Sequence, residues 1–158
     1  YEERTSGWSS ADLTAIARAY VVLGDAESVR AALRVFDAAV AADRNNMDAI
    51  VRTGDLFLEK YNAPEARESY AQVLMRDSTN ARALLGMARV LDFEGKPEAL
   101  VITRRAVTSD PSLAAAHVML ARLYLEAEAF DSATTAARRA IALDSLRVAP
   151  WALWGASA

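Results

Sequence analysis

The chain has 158 residues, of which 53% are hydrophobic and 25% charged, a balance found in folded chains rather than disordered ones. A net charge of −3 gives no dense cationic surface to displace counterions from a nucleic acid, so no nucleic-acid partner is expected. The absence of cysteine excludes disulfides, thiolate catalysis and cysteine-held metals, and no apolar run approaches the roughly 18 residues that insert across a membrane.

Glycine (6) and proline (4) are scarce while Ala, Leu and Arg abound, which favours helix. Taken in chain order, the apolar residues recur at three- and four-residue intervals, the mark of amphipathic helices. Ala17-Arg18-Ala19-Tyr20 is followed by Ala32, Phe36 and Ala39. About 34 residues on, Gly54-Asp55-Leu56-Phe57 is followed by Ala66, Tyr70 and Val73. Ala88-Arg89-Val90-Leu91 then precedes Ala99, Thr103 and Ala106, and Ala121-Arg122-Leu123-Tyr124 precedes Ala133, Ala137 and Ala140. Each unit also closes alike, with Asp43, Asp77, Asp110 and Asp144 at spacings of 34, 33 and 34. Such self-similarity marks a repeat array, here with units 10–46, 47–80, 81–113 and 114–147 after a flank at 1–9. Residues 148–158 begin a fifth repeat or a C-terminal capping helix, with Trp151, Trp154 and Gly155 in the aromatic, Leu and small slots.

These units resemble the tetratricopeptide family over residues 10–156. The resemblance implies an all-α fold, a right-handed α–α superhelix (a solenoid of antiparallel helix pairs). Breaks inside the repeats fall at Gly24-Asp25, Asn62-Ala63-Pro64, Gly95-Lys96-Pro97 and Glu128-Ala129-Phe130-Asp131. Pro64 and Pro97 suit a first helical turn, and Asp131 suits an N-cap. Gly54, Ala88 and Ala121 are expected where the helices of one repeat cross, faced by Ala66, Ala99 and Ala133. Tyr20, Phe57, Tyr70 and Tyr124 are expected to fill the gaps between neighbours.

In the family the first helices line a concave groove. Carried over to this chain, the residue after each small slot is Arg18, Asp55, Arg89 or Arg122. Four residues earlier stand Thr14, Val51, Leu85 and Val118, and four later stand Val22, Glu59, Phe93 and Glu126. This mixed surface suits a peptide or helix carrying acidic groups, because arginine pairs bidentately with carboxylates. The competing reading is internal pairing, Arg122 with Glu126 and Asp55 with Arg18 or Arg89. A clamp for a chaperone's terminal carboxylate needs Lys and Asn in slots held here by Thr14, Arg18 and Arg52, so that version is not expected.

Arg104-Arg105 and Arg138-Arg139 read as solvated faces of second helices. His117, the sole histidine, takes an aromatic slot and reads as packing. One histidine and no cysteine give neither a metal site nor a catalytic set, and no Gly-rich phosphate loop is present, so no enzyme activity, metal or cofactor is expected. The expected role is a protein–protein interaction scaffold that binds a peptide or partner protein in its groove. The alternative is a structural or accessory module of a larger multidomain enzyme or envelope assembly. The start at Tyr1, without an initiator methionine, favours that alternative because it resembles an excised piece. The apolar Trp151/Trp154 end invites a homodimer.

Overall fold

The computed structural model describes residues 7–143. The expected fifth repeat with Trp151, Trp154 and Gly155, the homodimer end it forms, and Asp144 lie outside the described residues. Among the described residues there are eight α-helices and no strand. They form two compact units, the first ending at Arg76 and the second beginning at Asp77. The first unit holds α1 (Ser10–Leu23), α2 (Ala26–Ala42), α3 (Met47–Glu59) and α4 (Ala63–Arg76). The second holds α5 (Ala81–Phe93), α6 (Glu98–Ser109), α7 (Ala114–Glu126) and α8 (Phe130–Leu143).

Helices this short do not persist alone in water, so packing of an apolar face must hold them. In the first unit α1 packs on α2, α3 on α4, and α3 also on α2 and α1. Leu13, Ala17, Val35, Phe36 and Ala39 form its core, which Ala49 and Leu56 of α3 complete. In the second unit α5 packs on α6, α6 on α7, and α7 on α8. There Leu120, Ala121, Ala136 and Ala137 gather Leu100, Val107 and Tyr124 around them.

The small slots are buried in every pair: Ala17, Gly54, Ala88 and Ala121 on the first helices, Ala32, Ala66, Ala99 and Ala133 on the second. At Gly54 the nearest neighbour is the ring of Tyr70 rather than Ala66, and a Cβ there would stand 2.8 Å from Tyr70 Cε1. Tyr70 is fully buried, so its ring has little room to retreat.

Turn chemistry explains the punctuation. Within each pair one turn residue takes a left-handed backbone: Gly24 (φ 74), Tyr61 (φ 60), Gly95 (φ 69) and Glu128 (φ 56). In three of these turns the next amide reaches back to a carbonyl five residues earlier. The bonds run from Asn62 N–H to Phe57, Lys96 N–H to Leu91 and Ala129 N–H to Tyr124, each at 2.9 Å. This closure satisfies carbonyls that a helix end leaves open. The α7–α8 turn departs from the sequence reading. Helix α8 begins at Phe130, so Asp131 lies in its first turn rather than at the N-cap, where its charge still complements the helix dipole.

The recurring aspartates have a single cause. Asp43, Asp77 and Asp110 each accept, through Oδ1, the amide N–H two residues on, from Asn45 (2.9 Å), Thr79 (3.0 Å) and Ser112 (2.9 Å). Each thereby folds its own turn into the next helix. His117, buried, donates from Nε2 to the Pro111 carbonyl at 3.0 Å and so holds the third of these turns. Caps start the helices: Ser9 and Asp12 form a reciprocal capping box at α1, Asp25 accepts the Glu27 and Ser28 amides at α2, and Asn46 and Asn80 cap α3 and α5.

Three outcomes follow from these contacts. Gly54→Ala should lower stability by about 1 kcal/mol in a denaturant melt, because overpacking costs about 1–3 kcal/mol against a gain of about 1 kcal/mol in helix propensity. Glu128→Gly should raise it by about 1 kcal/mol by relieving a left-handed non-glycine residue. The third outcome concerns acid. Hydrogen bonds from Ser9, Ser28, Thr79 and Ser112 hold Asp12, Asp25, Asp77 and Asp110 below the ordinary carboxylate value of 3.8. Their stabilisation is complete above that value and is lost as the pH falls through the lowered ones. Melting temperature should therefore be insensitive to these groups near neutral pH and fall below about pH 4. Asp77→Asn with Asp110→Asn should flatten that acid limb.

Candidate interaction surfaces

The first unit carries a depression of about 570 Å³ whose walls include Arg18, Val21, Val22, Arg52, Asp55 and Glu59, with Leu56 among its lining residues. The wall residues of α1 and α3 follow one spacing. Ala15, Arg18 and Val22 repeat at intervals of three and four, as do Arg52, Asp55 and Glu59. Asn46 keeps the two helix starts together. Its Nδ2 donates to Ser10 Oγ (2.7 Å) and Thr14 Oγ1 (2.9 Å), while its Oδ1 caps α3 at Ala49 (3.0 Å). Ser10 Oγ passes the network on to the Ala39 carbonyl of α2 at 2.7 Å.

The walls are chemically mixed. Val22, an aliphatic side chain on this wall, is 85% exposed. Arg18 is exposed and pairs with no described carboxylate. Arg52 Nε donates to Asp48 Oδ2 at 2.8 Å, which sets the direction of its guanidinium. Asp55 Oδ1 accepts the hydroxyl of the buried Tyr70 at 2.8 Å. Glu59 stands exposed, 3.5 Å from Lys60 Nζ.

Thr14 and Val51, taken from the sequence as groove positions, are buried at 5% and 2% exposure. Four residues before Arg18 or Asp55 the side chain turns toward the core, while three residues before them Ala15 and Arg52 reach the depression. Thr14 instead donates to the Ser10 carbonyl at 2.8 Å and accepts from Asn46.

In the second unit Leu85 is buried and Val118 half-buried, while Arg89, Phe93 and Glu126 are exposed. Arg122 Nη2 donates to Asp92 Oδ2 at 2.5 Å and Nη1 donates to Glu126. The hydrogen bond to Asp92, together with both carboxylate charges, holds Arg122 above the ordinary arginine range. The Asp92 bond crosses from α7 to α5 and had no signature in the repeat spacing. On the second helices, Arg104 donates from Nε to the Tyr124 hydroxyl at 2.9 Å, its guanidinium 5.3 Å from the ring centre. Arg105, Arg138 and Arg139 are exposed. Among the described residues no group of three or more His, Cys, Asp and Glu side chains stands where a metal is held, and no helix is long and apolar enough to cross a membrane.

No family model and no curated protein sequence matches the chain. Solved structures do match its fold. TTC0263, a thermophilic TPR protein of Thermus thermophilus, is similar at 18% identity with a TM-score of 0.77, covering 94% of this chain and 82% of its own. The MamA protein is similar at 19% identity with a TM-score of 0.67, over 94% of this chain and 80% of its own. A MamA RS-1 double mutant follows at 21% identity and a TM-score of 0.64, over 86% and 75%. Together with the four helix pairs among the described residues, these matches show that the chain has the all-α tetratricopeptide-type repeat fold.

Proposed function

We propose that this chain is a protein-interaction scaffold that binds a peptide or partner protein on the exposed faces of its first helices. The depression of the first unit carries the reading: an exposed Val22 stands at its wall among charged side chains. Two of those charges are held in place from behind, Arg52 by Asp48 and Asp55 by Tyr70. Side chains already ordered before binding lose less freedom on binding, which favours recognition. The second unit repeats the combination on a smaller scale, with exposed Phe93 near the end of α5 and Arg89 one turn before it. Isolated exposed apolar residues are common, but aromatic and arginine side chains set in a rim of polar groups are the usual anchors of protein interfaces. The depression holds no nucleophile–base pair, and His117 is engaged with the Pro111 carbonyl elsewhere.

The test is capture of partners from the source cells with the full chain. Arg18→Glu with Val22→Asp should lower recovery of a captured partner about tenfold or more, as loss of one charged contact and one apolar anchor entails. Helicity and melting should hold, because both side chains are exposed. Phe93→Asp serves as the parallel variant for the second unit. Equal recovery by the parent and by both variants would falsify the reading.

A further inference from the structure

We infer that the depression of the first unit selects a polarised peptide: an apolar side chain with a carboxylate on one side and a lysine or arginine on the other. The inference rests on the scaffold reading and adds the partner's chemistry to it.

The order of charges along the depression is the reason. Helices α1 and α3 start at the same end, because Asn46 at the head of α3 bonds to Ser10 and Thr14 in the first turns of α1. Arg18 lies one turn past Thr14, and Arg52 follows the head of α3, so the two guanidinium groups share the near end, that of Arg52 already paired with Asp48. Farther along stand Val22 on α1 and Glu59 on α3, with Asp55 and Leu56 between Arg52 and Glu59. At a rise of 1.5 Å per residue, Arg52 and Glu59 are separated by about 10 Å along the helix axis. The depression therefore runs from a basic end, past an apolar middle made by Val21, Val22 and Leu56, to an acidic end.

A bound segment is sorted by that order. A carboxylate at the near end meets Arg18, which has no described carboxylate of its own, and a planar guanidinium accepts it through paired hydrogen bonds. The same carboxylate at the far end faces Asp55 and Glu59 and is repelled. A cation is sorted in the opposite sense. The apolar side chain between them covers Val22, which otherwise remains in water. A peptide with the reverse polarity has to turn around or give up both charge contacts.

The experiment is selection of a displayed library of random peptides on the immobilised full chain. It is repeated on Arg18→Glu, on Glu59→Arg, and on the double variant that exchanges one charge between the two ends of the depression. Peptides enriched on the parent should carry an acid and a base flanking an apolar residue. Their synthetic forms should lose about tenfold or more in affinity on either single variant. The double variant should bind the charge-reversed peptide better than the parent peptide, a gain that misfolding does not produce. Enriched peptides without charge polarity, or with equal affinity for parent and variants, overturn the inference and leave the scaffold reading standing. No enrichment at all also overturns it, and partner capture then decides the scaffold reading alone.

Discussion

Everything in this fold depends on two helices approaching closely enough to share one apolar surface. Single helices of this length are marginal, and their stability comes from the face they bury. Three of the pairs carry buried alanine in the small slots of both helices: Ala17 and Ala32, Ala88 and Ala99, Ala121 and Ala133. The second pair uses a different solution. Gly54 leaves room for the aromatic ring of Tyr70, and the ring's hydroxyl emerges at Asp55. One missing side chain thus serves both packing and surface: it seats a buried ring and fixes a carboxylate on the wall of the depression.

The helix pairs were legible because two independent signals coincide. Small residues recur at the crossings, and an aspartate recurs at the turn between one pair and the next. The structure supplies the reason for the second signal, since Asp43, Asp77 and Asp110 each fold their own turn through a bond to an amide two residues on. All four turns inside the pairs were placed by the sequence, but the left-handed residue within each was legible only where it is glycine. Gly24 and Gly95 advertise a left-handed backbone, whereas Tyr61 and Glu128 adopt it without any compositional sign. Asp131 misled for a related reason: an aspartate near a helix start suits either the cap or the first turn, and only the backbone distinguishes them.

The candidate surface was legible in part. Arg18, Asp55 and Glu59 came from the repeat register and do line the depression. Thr14 and Val51 came from the same register and are buried, because on these helices a step of four residues back from Arg18 or Asp55 turns toward the core, whereas four residues forward stays at the surface. Arg52 shows the complementary case, reaching the depression from a position three residues before Asp55. Contacts between helices were out of reach of a register argument. Asn46 on Ser10 and Thr14, and Arg122 on Asp92, join residues about 30 or more positions apart that no periodic pattern relates. The burial of His117 followed from its slot, but its bond to the Pro111 carbonyl did not.

The aspartate turns have one more consequence. Each uses only residues within three positions of itself: the carboxylate takes an amide two residues on, and the Asp carbonyl takes the amide of Asn46, Asn80 or Leu113 three residues on. These bonds reach no farther than the turn itself, and the contact of His117 with the Pro111 carbonyl is added to the third turn from outside. A helix pair bounded by two such turns is therefore a cassette, with joints that carry their own instructions. Genetic duplication or excision of one period leaves the local aspartate bonds of each remaining described junction intact, so the length of such an array can drift in evolution without those bonds having to be reinvented.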